Sequence, residues 1–259
     1  VASFVADGTT TTGGNNNVAI GKSAAYGLKT GNDNFFMGNS AGYSNRRSSQ
    51  NVMIGSETGK HFYEADANGN GGRNVGIGYK AYYNARTDVV TGNTGFDNTA
   101  IGHRSMGNVT GTSADNDLSG NYNSAIGALS LGSITSGDSN VVIGYKAGYT
   151  VTTGNKNIAL GYEAGRGTST TNANLYIGYQ AGYTANTETG NIGFGGSNTL
   201  YYANGSVGYN IAIGSSSQYA KTSGFHNVSM GFASLHLNST GNYNVGIGHQ
   251  AGYNQTTSN

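Results

Sequence analysis

The chain of 259 residues has no cysteine, no proline and no tryptophan. Without cysteine, disulfides and thiolate zinc sites are excluded, and the redox compartment is left open. Charge is scarce too: 10% of residues are charged and the net charge is +1 at pH 7. Lysine and arginine are scattered apart from Arg46-Arg47, so the basic stripe that electrostatic nucleic-acid binding needs is missing. No run approaches the ~18 apolar residues of a membrane span, and no secretory leader is visible. The five histidines, His61, His103, His226, His236 and His249, share no metal-ligand spacing. The close carboxylate pairs Glu64/Asp66 and Asp115/Asp117 do not establish the ~5–9 Å separation across a sugar that glycoside hydrolysis requires. No nucleophile, base and orienting group stand in a recognisable pattern. The expectation is a chain with no catalytic residues and no cofactor.

What is abundant is glycine, 45 residues, and it falls in a repeat. The phrase Asn-x-x-(Ile/Leu/Met/Phe)-Gly occurs thirteen times, from Asn17-Val18-Ala19-Ile20-Gly21 to Asn244-Val245-Gly246-Ile247-Gly248. The closing glycines are spaced 17, 17, 23, 24, 25, 17, 17, 17, 17, 19, 17 and 17 residues apart. A fixed period over most of a chain is the mark of a solenoid. With the closing glycine as position 0, position −1 is always large and apolar, position −3 is apolar except at Thr99 and Ser124, and position −2 is mostly small. That alternation has period two and is rich in β-branched residues, so it predicts a short strand; a helix would not tolerate so much glycine. The predicted fold is all-β: a single parallel β-solenoid (β-roll) of about 13 coils with a base repeat of 17 residues. At ~4.8 Å per coil this is a rod ~60 Å long.

The asparagine at −4 never varies: Asn17, Asn34, Asn51, Asn74, Asn98, Asn123, Asn140, Asn157, Asn174, Asn191, Asn210, Asn227 and Asn244. Stacked coils would place these amides in a column bonding along the stack; the plainer alternative is that each tolerates a left-handed turn position. Position +3 is Ala or Ser in eleven copies, with Thr58 and Asn198 the exceptions. Another surface approaches there, either the opposite wall of a thin coil or a neighbouring subunit.

Residues 1–14 are read as an N-terminal strand and flexible segment, either capping the first coil or linking to another subunit. Residues 15–253 form the solenoid and 254–259 a polar tail. Insertions at about 60–72, 83–95 and 108–120 fall at one phase of successive coils, so they would stack into a lateral bulge. Loops of this kind often carry function, and His61, Tyr63 and Arg86 are candidate binding residues within it. A two-residue insertion is placed around Tyr201-Tyr202-Ala203-Asn204. Asp66, Asn68 and Asn70 match the first half of a calcium loop, but Ile77 stands where the bidentate glutamate belongs. Tyrosines recur at +5 (Tyr26, Tyr43, Tyr83, Tyr149, Tyr183, Tyr219, Tyr253) and at +1, where Tyr145, Tyr162 and Tyr179 occupy successive coils. Such columns either stiffen the stack or present a contact surface for a sugar ring or a protein.

Phrases such as Asn140-Val141-Val142-Ile143-Gly144-Tyr145-Lys146-Ala147-Gly148-Tyr149 resemble the head repeats of trimeric autotransporter adhesins, a YadA-like left-handed parallel β-roll. They resemble the repeats of bacteriophage tail-fibre proteins more closely still. The resemblance covers about residues 15–253. It implies a left-handed coil, the −3 and −1 side chains inside it, −2 facing a subunit neighbour, a homotrimer, and a fibre that binds a host surface. The expected function is therefore a non-enzymatic extracellular or virion fibre segment with an adhesive, receptor-binding surface for a cell-surface glycan or protein. The alternative is a structural subunit stacking end to end into an extracellular filament. Neither involves nucleic acid or membrane insertion.

Overall fold

The computed structural model describes residues 4–5, 14–60, 72–83, 95–107, 118–184, 188–202 and 208–256. The chain forms two compact units, Val1–Ser139 and Asn140–Asn259. The first unit holds β1 (Phe4–Val5), β2 (Val18–Ile20), β3 (Phe35–Met37), β4 (Val52–Ile54), β5 (Val75–Ile77), β6 (Thr99–Ile101) and β7 (Ser124–Ile126). The second holds β8 (Val141–Ile143), β9 (Ile158–Leu160), β10 (Leu175–Tyr179), β11 (Ile192–Ser197), β12 (Ile211–Ile213), β13 (Val228–Met230) and β14 (Val245–Ile247). Within each unit every strand pairs in parallel with the next in sequence, so each is a β-solenoid with one short strand per coil. β1 lies beside β2, Phe4 opposite Val18.

Residues 17 apart sit beside one another, as Val18 and Phe35 do. The long insertions leave this register intact: Val52 pairs with Val75, Val75 with Thr99 and Thr99 with Ser124. The extra residues leave the coil between strands, and residues 61–71, 84–94 and 108–117 lie outside the described residues. The turns are bonded coil to coil as well; Gly27 N–H donates to Tyr43 O at 2.7 Å and Gly148 N–H to Ala164 O at 2.9 Å.

The closing glycine is required by the stack. At Gly161, φ is +135° and an added Cβ would lie 2.4 Å from the carbonyl oxygen of Gly178 in the next coil. A side chain is therefore excluded by its own backbone conformation and by the neighbouring coil.

The structure reverses the expected inside and outside. Position −2 is the buried one: Ala19, Phe36, Met53, Ala100, Ala125, Val142, Ala159, Tyr176 and Ala212 form the core. The larger −3 and −1 side chains flank it on the opposite face, partly or fully exposed. Alternation shows which residues share a face, not which face is inward. So thin a coil leaves room for one interior side chain per strand. The small +3 residues meet −2 from the opposite wall: Ser105 Oγ donates to Ala125 O at 2.9 Å and Ser234 Oγ to Gly246 O at 2.9 Å.

The second interior contribution comes from position +4, and its size complements −2. Phe36 faces Gly42, Met53 faces Gly59 and Tyr176 faces Gly182. Where −2 is small, +4 is large and buried: Gly76 with Tyr82, Ala100 with Met106, Ala125 with Leu131. These +4 residues adopt left-handed backbone whether or not they are glycine, with φ 50° at Tyr82 and 47° at Leu131.

The two-residue insertion is also corrected. Ile177 pairs with Phe194 but Tyr179 with Ser197, so one extra residue is taken up as a bulge in Gly195-Gly196-Ser197. Thr199 then occupies the small buried position to which Asn198 looked like an exception, and its Oγ1 donates to Gly214 O at 2.8 Å.

Gly42→Ala tests the complementarity, because its Cβ would meet the Phe36 ring at 2.4 Å with φ +59°. It is expected to destabilise by about 2–4 kcal/mol in denaturant unfolding. Combining Phe36→Ala with Gly42→Leu, which copies the Ala125–Leu131 arrangement, is expected to recover part of that loss.

Candidate functional site

No catalytic constellation is present among the described residues, and none holds a group of three or more His, Asp or Glu placed for a metal ion. His61, Tyr63, Arg86 and the calcium candidates Asp66, Asn68 and Asn70 lie outside the described residues. The remaining predicted features are an internal asparagine column and the surfaces it supports.

The asparagines stack. In the first unit Asn34 donates to Asn17 Oδ1 through its backbone N–H and through Nδ2, both at 3.0 Å, while Nδ2 also reaches Ser48 O at 2.9 Å. In the second unit Asn157 donates to Asn140 Oδ1 at 2.9 Å and 3.1 Å and to Thr171 O at 2.8 Å. Each amide thus accepts two bonds from the next coil and donates its own two, fully satisfied while buried. The left-handed backbone belongs to the preceding residue, φ 57° at Asp33 and 58° at Lys156, not to the column asparagine.

Tyr145, Tyr162 and Tyr179 come together on one surface. Their ring centroids are 5.4 Å and 5.1 Å apart in sequence order, with near-parallel planes. All three are exposed, at 42%, 43% and 48%. Lys146 Nζ lies 5.3 Å from the Tyr145 centroid, and the Arg166 guanidinium lies 5.1 Å from that of Tyr183, so cations edge the aromatic surface. Glu163 raises the Tyr162 phenol above its ordinary pKa, with burial and the flanking tyrosines adding to it and Lys146 opposing.

The +5 column is longer than its tyrosines indicate. Tyr183, Tyr201, Tyr219, His236 and Tyr253 stack in turn at centroid distances of 4.9, 5.3, 5.0 and 4.7 Å. A third column was missed: Tyr209, His226 and Tyr243 stack at 5.4 Å and 5.3 Å. The signal was present, an aromatic residue immediately before the column asparagine. His103 stacks on Tyr79 and His249 on Phe232, so each described histidine is a member of an aromatic column.

The outer strand face is the other surface. In the first unit Ile20, Met37, Ile77 and Ile126 are exposed at 36–43%. In the second, Ile143, Phe194, Met230 and Ile247 are exposed at 41–67%. Each unit therefore carries an apolar stripe of aligned −1 side chains beside the −3 column. No family model, curated protein or solved structure gives a significant match to this chain.

Asn157→Ala would strip Asn174 N–H and Thr171 O of their partners. It is expected to cost about 2–4 kcal/mol in denaturant unfolding. Asn244→Ala is expected to cost clearly less, because no described coil follows it.

Proposed function

We propose that the chain is a non-enzymatic segment of an extracellular or virion fibre. Copies associate side by side through the apolar strand face, and the aromatic columns form an adhesive surface for a cell-surface glycan or protein. The observation that carries this reading is the burial pattern of the strands. The largest apolar residue of each repeat points away from its own coil, in columns such as Ile20, Met37 and Ile54 or Ile143, Leu160 and Ile177. A soluble monomer seldom exposes a contiguous apolar patch beyond a few hundred Å². The occupant is a second copy, because a stripe repeating every 17 residues is matched most simply by a stripe of the same spacing. The charge-poor composition and exposed tyrosine columns support an adhesive outer surface, since tyrosine supplies rigid amphipathic contact area at low entropic cost.

One observation favours the alternative of end-to-end stacking into an extracellular filament. Val245 and Ile247 of β14 are 69% and 67% exposed, and nothing lies within 4 Å of where a Cβ on Gly248 would be. An unpaired parallel strand of this kind invites another coil.

Light scattering with electron microscopy separates the two. Discrete small oligomers that fall to monomers in Ile143→Asp/Met230→Asp are expected; unchanged mass in that variant rules out association through this face. Long filaments formed by the unaltered chain alone would favour stacking. On a glycan array, Tyr145→Ala/Tyr162→Ala/Tyr179→Ala is expected to weaken binding by about tenfold or more, the equivalent of at least about 1.4 kcal/mol. Undiminished binding would clear the column of that role.

A further inference from the structure

The second unit holds a buried group that no surface role uses. Glu188 stands three residues before Asn191, where most coils carry a corner glycine, and Lys221 stands six before Asn227, where Leu28, Ile134 and Val151 stand before their own asparagines. Glu188, Asn191 and Lys221 are each 0% exposed. Lys221 Nζ is paired with Glu188 Oε1. The other carboxylate oxygen, Oε2, accepts a hydrogen bond from Asn191 Nδ2 at 2.9 Å. Asn191 Oδ1 in turn accepts from Asn210 twice, through the backbone N–H and Nδ2, both at 3.0 Å. This amide differs from others in the column: Nδ2 of Asn140, Asn157 and Asn227 donates to the backbone carbonyls of Gly154, Thr171 and Gly241. Asn191 offers its nitrogen to a carboxylate that also holds an amine.

We infer that Lys221 and Asn191 are set to join in an intramolecular isopeptide bond, with Glu188 carrying the proton between them. Glu188 takes a proton from the ammonium, leaving a neutral amine. The Nζ lone pair attacks Asn191 Cγ, and the negative charge that develops on Oδ1 falls where two N–H donors of Asn210 already point. A proton delivered through Glu188 Oε2 reaches Nδ2, the Cγ–Nδ2 bond breaks and ammonia leaves. Nζ gives up its second proton to the carboxylate. The balance is one ammonium, one carboxylate and one primary amide converted to one secondary amide, one carboxylic acid and one ammonia, with no oxidant or cofactor.

Two physical arguments favour reaction over a permanent ion pair. A pair of charges sealed in a core bears a desolvation cost of several kcal/mol per ion before their attraction is counted. The reaction removes both charges. Burial also lowers the proton affinity of Lys221, against the opposing pull of Glu188, which favours the free amine that attack requires. Reactants held in one dry site need no encounter.

Intact mass spectrometry of the full chain under denaturing conditions tests this. The expected mass is about 17 Da below the sequence mass, the loss of one ammonia. Digestion should give one branched peptide joining the segments around Asn191 and Lys221. Glu188→Gln, Lys221→Arg and Lys221→Met should each restore the unshortened mass, the last with a side chain suited to an apolar core. An unmodified mass for the unaltered chain overturns the inference, and needs no variant to fold. So does persistence of the loss in either lysine variant, mapping of the bond to Asn210, or a loss of about 18 Da, which would place the bond on the Glu188 carboxyl.

Discussion

The coils depend on hydrogen bonds that run along the stack. One three-residue strand per coil satisfies little of the backbone, and the rest of each coil is turns. A buried turn is tolerable only if its amides and carbonyls find partners. The column asparagines supply them at the tightest corner: Asn157 caps Thr171 O, receives the N–H of Asn174 and bonds to Asn140 in one arrangement. Aspartate would lack the donors and glutamine would overreach, so the residue is dictated by chemistry as well as size. The closing glycine is the steric counterpart, since the next coil passes too close for any side chain.

Much of this was legible in the sequence. The period of 17, the strand at −3 to −1 and its register across long insertions follow from spacing alone. The direction of the strand faces did not. Large apolar residues are ordinarily inside, and that rule misled because the coil is too thin to hold them. The deciding clue was the coupling of −2 with +4, visible in pairs such as Phe36 with Gly42 and Gly76 with Tyr82, but it becomes meaningful only once +4 is known to turn inward. The bulge at Gly195-Gly196-Ser197 was hidden for a related reason: glycine-rich sequence gives no local sign of which residue is the extra one.

The candidate surfaces divide along the same lines. The Tyr145, Tyr162 and Tyr179 column could be read from spacing, because equal phase in successive coils means adjacency. Tyr209, His226 and Tyr243 needed recognition that the residue before the asparagine also stacks outward. The Glu188–Lys221 pair was out of reach, since 33 residues separate its members and each breaks the repeat where it stands. Departures from a repeat are where a repetitive chain becomes individual. Here one departure places a charge pair inside, while the regular positions place apolar side chains outside, the reverse of an ordinary globular core.

The tolerance of the register to intervening length has a further consequence. Coils of 23, 24 and 25 residues keep the same three-residue pairing as coils of 17. Stability and cargo are thus separated: the strand, the asparagine and the glycine hold the stack, and the segment that leaves it is free to drift in composition without disturbing its neighbours. Such a chain can diversify what it displays by lengthening or exchanging whole segments at one phase, a route faster than residue-by-residue change, while the scaffold beneath stays the same.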